Sequence, residues 1–155
     1  MPERVVVRQN RRHEVDILAS DPANPDSEHM HLVDSVYDFT PFTMLLASLG
    51  TCTTILIHSY AQNHRYPVEE AEVRLAFVED DDGDDEIVVF VDVRGEGLSE
   101  SDRQRLIQIS SHCSVHKILD KGIPIQWHAF DAAAHDAHHG TPHEHDEQHD
   151  HEHDA

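Results

Sequence analysis

The chain is poor in positive charge. It holds 11 Lys and Arg against 31 Asp and Glu, a formal charge of −20 with histidine neutral, and its only lysines are Lys117 and Lys121. Binding nucleic acid requires a basic stripe that neutralises phosphates, and an anionic membrane surface attracts the same kind of stripe. This sequence has none, so neither nucleic acid nor membrane is an expected partner. The acidity reads as a solvated, charged surface. Many carboxylates with few lysines is the bias of a protein kept soluble at high salt, where self-repulsion is screened. A halophilic source is the expectation.

Export signals are also lacking. Met1-Pro2-Glu3-Arg4-Val5 has no positive segment leading into an apolar one, as a secretory signal would. The longest apolar stretch, residues 44–57, is broken by Ser, Gly, Thr and Cys and reads as too short to span a bilayer. The expected location is cytoplasmic. Cysteine is scarce, with only Cys52 and Cys113. Two cysteines in a cytosolic chain do not make a disulfide framework. They are buried apolar residues, a metal pair or a redox pair.

The pattern predicts an opening hairpin over residues 5–8 and 14–19, turning at Gln9-Asn10-Arg11-Arg12. Residues 20–38 read as a long loop. Thr40 is suited to cap a helix and Pro41 to begin one, and no further proline occurs before Tyr66-Pro67. Between them Leu45, Leu49, Cys52, Leu56 and Tyr60 recur at helical spacing, and Met44, Leu46, Ala47, Ile55 and Ile57 fill much of the remaining circumference. A long central helix over residues 41–64, buried on most sides, is predicted. A second hairpin follows over residues 68–78 and 87–93, turning through the acidic residues 80–85. A helix capped by Ser99 then leads to Cys113, with further helical turns over 115–119. Lys121-Gly122 stops them, and residues 123–130 read as a last strand. The layout is α+β, with sheet wrapping a central helix. The folding domain is placed at residues 1–131. Residues 132–155 form a tail with almost nothing apolar, of the composition of a disordered segment.

A cysteine pair can reduce peroxides. One thiolate attacks oxygen and becomes a sulfenic acid, the second thiol condenses with it, and an external thiol resets the disulfide. His112-Cys113-x-x-His116 also has a spacing that suits zinc. The tail offers different chemistry: His138, His139, His143, His145, His149, His151 and His153 alternate with carboxylates, a donor set for weak divalent transition-metal binding.

Residues 40–54, Thr-Pro-Phe-Thr-Met-Leu-Leu-Ala-Ser-Leu-Gly-Thr-Cys-Thr-Thr, followed by Tyr60-Ala61 and Tyr66-Pro67, resemble the central helix of the OsmC/Ohr family. The matching features are the Thr-Pro entry, the Leu-Leu-Ala-x-Leu-Gly-x-Cys run and the proline-started strand that follows. Residues 109–116 resemble the place where that family carries its second cysteine. The likeness spans residues 4–130. It implies an OsmC-like fold and an intertwined homodimer with each thiol site near the subunit interface. It also implies reduction of organic hydroperoxides by an attacking Cys52 and a resolving Cys113, reset by a dithiol reductant, with no cofactor required. In the peroxidase branches an arginine stabilises the thiolate and a glutamate holds the arginine. Arg11 and Arg12 in the first turn are the candidates for the former. The glutamate's place after Pro41 is taken by Phe42 and Thr43, with Asp38 the nearest preceding carboxylate, and the proline expected after the second cysteine is replaced by Ser114. The other class of function is a non-enzymatic OsmC-like binding or redox-sensing protein whose histidine tail buffers metal.

Overall fold

The computed structural model describes residues 3–24 and 26–129. They fall in two units, Met1–Ile123 and Pro124–Ala155, the second described only over residues 124–129. The first unit contains β1 (Arg4–Asn10), β2 (Val15–Ser20), β3 (Met30–Leu32), α1 (Pro41–His64), β4 (Glu70–Glu79), β5 (Asp85–Arg94), α2 (Glu100–Ser110) and α3 (Ser114–Lys121). The strands form one antiparallel sheet in the order β3-β2-β1-β4-β5.

Two-residue alternation decides which side chains meet the core. Val5, Val7 and Gln9 of β1 are buried, as are Ala71, Val73 and Leu75 of β4. The register sets Val5 opposite Leu75 and Val7 opposite Val73, so the two strands present one continuous apolar floor. Across it lies α1. Thr40 caps the helix, its hydroxyl accepting from the Thr43 amide at 3.1 Å while the Thr43 hydroxyl accepts from the Thr40 amide at 2.8 Å. At the other end Arg65 turns left-handed (φ 57°) and the Tyr66 amide reaches the Ala61 carbonyl at 2.8 Å, closing the helix before Pro67.

The helix is 24 residues long, about 36 Å. By length and composition it would cross a membrane, contrary to the reading that its apolar stretch is too short; half of its most apolar window is instead buried in this fold. Buried positions Leu46, Ala47, Gly50, Thr54, Ile57, His58 and Ala61 recur at three- and four-residue spacing. Full burial of Leu46 or Ile57 stabilises the fold by about 1.5–3 kcal/mol each. The expectation of burial on most sides is not met: Phe42, Met44, Leu45 and Ile55 are exposed. One sheet covers one face, and the short helices α2 and α3 cover only part of the rest.

Two further expectations are corrected. Residues 20–38 are not simply a loop, because Met30–Leu32 adds β3 to the sheet through pairs such as Leu18 with Leu32, and Val36–Asp38 forms a turn of 3₁₀-helix. The last strand expected over residues 123–130 is not formed across the described residues 123–129. A strand needs a neighbour for its ladder, and the Pro124 nitrogen has no hydrogen to donate.

The outer sheet face carries a buried charge that hydrophobic patterning did not anticipate. The Glu72 side chain is only 5% exposed and accepts from Arg8 (2.5 Å), Arg74 (2.7 Å) and Arg94 (3.1 Å). Burial alone would push its carboxyl up, but the bonds from Arg8 and Arg74 outweigh this and hold it below the usual carboxylate range.

Gly50 sets how closely α1 approaches the floor. A Cβ there would stand 2.7 Å from Val7 Cγ2 and 2.8 Å from Leu75 Cδ1. Gly50→Ala should therefore destabilise the protein by about 1–3 kcal/mol through overpacking, despite alanine's better helix propensity. Urea unfolding checks this, and an unchanged or raised midpoint would contradict the packing described.

Candidate active site

Two elements bring the cysteines together from positions 61 apart in sequence. Cys52 lies in the middle of α1, half-buried, two residues beyond Gly50. Cys113 precedes α3 as its N-cap and is 2% exposed. It belongs to the same apolar cluster as Leu46, Leu49 and Leu75, against which Cys52 also packs. Ser114 therefore occupies the first helical position where the family resemblance led to proline, and the helix forms without it.

The Cys113 sulfur has two polar neighbours. The His116 amide donates to it at 3.3 Å, and the Thr53 hydroxyl oxygen lies at 3.8 Å while donating to the Leu49 carbonyl at 2.8 Å. Burial pushes the Cys113 thiol up, the His116 amide and the Thr53 hydroxyl act in the opposite sense, and interaction with the Cys52 thiol adds to the rise. The net direction is upward, so at neutral pH Cys113 rests as a protonated, shielded thiol. The arrangement suits a more accessible thiol that reacts first and a buried one that answers it.

At the head of α1, the position of the family glutamate is filled by Phe42, which packs edge-on to Phe77 at 5.6 Å between centroids. A carboxylate still reaches this helix end, because Glu3 accepts from the Thr40 hydroxyl at 2.7 Å. It favours the helix dipole. Only the antiparallel pairing of β1 with β4 brings residue 3 there, so sequence spacing held no signal for it. Asp38 caps the preceding 3₁₀ turn by accepting from the Ser35 amide at 3.0 Å.

Arg11 and Arg12 lie on the β1–β2 turn. Among the described residues no hydrogen bond or ion pair joins either to a thiol. Arg11 instead borders a cleft of about 170 Å³ with His13, His58, Ala61, Gln62, Tyr66 and Val68. His58 of α1 is 6% exposed, and its Nε2 donates to the Gln9 carbonyl at 2.7 Å. Its ring meets that of His13 edge-on at 6.2 Å. Burial pulls the His58 imidazole below its usual range, the bond to Gln9 opposes this, and His13 adds to the lowering.

No group of three or more His, Cys, Asp or Glu among the described residues is placed to hold a metal, so His112 and His116 make no such site with the thiols. The tail histidines from His138 to His153 lie outside the described residues.

An antiparallel sheet backed by one long helix, with a half-buried thiol on that helix and a buried thiol capping a later one, defines a two-thiol α+β protein. The family described as OsmC-like protein matches residues 34–128, and the chain belongs to it. Its fold is similar to that of an OsmC-like hydroperoxide resistance protein from Jannaschia sp. CCS1, with a TM-score of 0.54 over 84% of this chain and 95% of that one, at 14% identity. A second solved structure, at 26% identity, covers 72% of this chain and 86% of its own with a TM-score of 0.48. No curated protein matches the sequence.

The lowered pKa of His58 has a measurable consequence. Its folded value lies below the ordinary 6.5, so below that pH the unfolded chain binds the proton more readily. Stability is full above the unfolded pKa and falls as pH drops through 6.5 toward the folded value, by at most about 1.4 kcal/mol per pH unit for one proton. Urea unfolding at several pH values between 7.5 and 5.5 should show this slope, and His58→Gln should flatten it. An unchanged slope in the variant would contradict the assignment.

Proposed function

We propose that this protein reduces organic hydroperoxides through Cys52 and Cys113. The observation that carries the reading is the meeting of a half-buried thiol on α1 with a shielded thiol at the head of α3. The Cys52 thiolate attacks the distal peroxide oxygen, the O–O bond breaks, and the alkoxide takes a proton and leaves as an alcohol. Cys52 is then a sulfenic acid. The Cys113 sulfur attacks the Cys52 sulfur, hydroxide leaves and takes the Cys113 proton as water, and a disulfide remains. A dithiol reductant restores both thiols and becomes a disulfide itself.

The neighbours of Cys113 suit the second step. As its thiol loses a proton, the negative charge develops where the His116 amide already donates, at the positive end of α3. Burial keeps the same thiol from competing for peroxide in the resting state.

In this proposal the active form is a homodimer. The exposed Phe42, Met44, Leu45 and Ile55 on α1 are the kind of apolar surface that a second copy would cover. The cation for the Cys52 thiolate is drawn from Arg11 or Arg12 of the β1–β2 turn, brought to the thiol in that assembly.

Purified protein given cumene hydroperoxide and a dithiol, either dihydrolipoamide or dithiothreitol, should consume peroxide rapidly. Cys52→Ser should lower turnover by about a hundredfold or more. Without a dithiol, Cys113→Ser should consume one equivalent and stop with Cys52 as sulfenic acid and no intrachain disulfide. Consumption at the thiol background with both cysteines reduced, or unchanged turnover in Cys52→Ser, would refute the proposal.

A further inference from the structure

The cleft between the β1–β2 turn and the C-terminal half of α1 holds neither thiol, and of the residues that line it only Arg11 is also a candidate for the thiol chemistry. His58 lies six residues beyond Cys52 on the helix, which places the two side chains on different faces. Three features of the cleft point to a ligand.

The first is local charge. Of the 11 Lys and Arg, Arg8, Arg74, Arg94 and Arg103 form ion pairs, and the others form none among the described residues. Arg11 and Arg12 are among the unpaired, although they share a second groove with Glu14 and Glu69. Glu14 is held by the Asn10 amide at 2.6 Å. The second is the donor set: Arg11, His13 and Gln62 line one cleft of about 170 Å³ together with His58. The third is the tautomer of His58. A backbone carbonyl only accepts, so the 2.7 Å bond to Gln9 fixes the proton on Nε2. Nδ1 of the neutral ring is then an acceptor, and it has no hydrogen-bond partner among the described residues.

We propose that this cleft binds a small oxyanion that still carries a proton, of the hydrogen-phosphate type, either as inorganic phosphate or as a phosphomonoester. Arg11 and His13 meet the negative oxygens, and the ligand's own hydroxyl donates to His58 Nδ1. The lowered pKa of His58 keeps that nitrogen an acceptor at neutral pH. A metal ion is the poorer occupant, because the Arg11 guanidinium repels it and only two imidazoles are present. Sulfate matches the charge but has no proton to give, so the site should prefer hydrogen phosphate. This inference does not rest on the peroxidase reading, since its test involves neither thiol.

The test is isothermal titration of the full-length, reduced protein with inorganic phosphate, sulfate and glycerol phosphate at constant ionic strength near pH 6.5. Saturable phosphate binding is expected, with sulfate weaker by about tenfold and Arg11→Gln weakening phosphate by a similar factor. Circular dichroism of Arg11→Gln confirms that this exposed substitution leaves the fold intact, and His13→Gln provides a second variant with the same expectation. Binding of glycerol phosphate alone would assign the ligand to an ester and support the site. No saturable binding of either phosphate, equal binding by both variants, or sulfate binding as tightly as phosphate would overturn the proposal.

Discussion

The close approach of α1 to the β1–β4 floor is the contact on which the rest of the structure depends. It is made at Gly50, where the helix backbone lies so near Val7 and Leu75 that a methyl group has no room. Seating the helix there buries Leu46, Ala47 and Ile57 together and leaves Cys52 on a half-covered side. It also turns Thr53 toward Cys113, so that one residue bridges the helix backbone and the second thiol. The depth of the helix and the environment of both sulfurs are consequences of the same packing.

Polar groups inside this fold are held by a small number of definite bonds. Glu72 keeps its charge because three arginines reach it. His58 stays neutral because burial outweighs its bond to the Gln9 carbonyl. Cys113 is pushed up by burial and offset in part by a helix amide. In each case desolvation sets the starting point and local hydrogen bonds decide how far the group departs from it. The chain's large negative charge is thus mostly a surface property, and the interior obeys separate rules.

Much of this was legible in the sequence, for identifiable reasons. The Thr40-Pro41 entry and the Tyr66-Pro67 stop bounded α1 because capping and proline act locally. The two hairpins and the Ser99 cap were readable in the same way. β3 escaped because three residues in a polar stretch carry no periodicity, and only pairing with β2 makes them a strand. The burial of Glu72 was not legible, because alternation says nothing of three arginines converging across strands. The covered side of α1 was misjudged because a helix apolar nearly all round does not reveal which face a single sheet will take. The cysteines were visible as residue types, but their meeting depends on where α3 packs. The His58 cleft was not visible at all, since it joins a turn to a helix about 45 residues further on.

The central claim is that Cys52 and Cys113 of one chain form a redox pair. The most direct measurement is peptide mapping by mass spectrometry, without reductant, after one equivalent of cumene hydroperoxide is added to the reduced protein. The account predicts a Cys52–Cys113 disulfide within a single chain as the dominant product. Cys52 carried on to sulfinic acid while Cys113 stays free, or a disulfide only between chains, would contradict it.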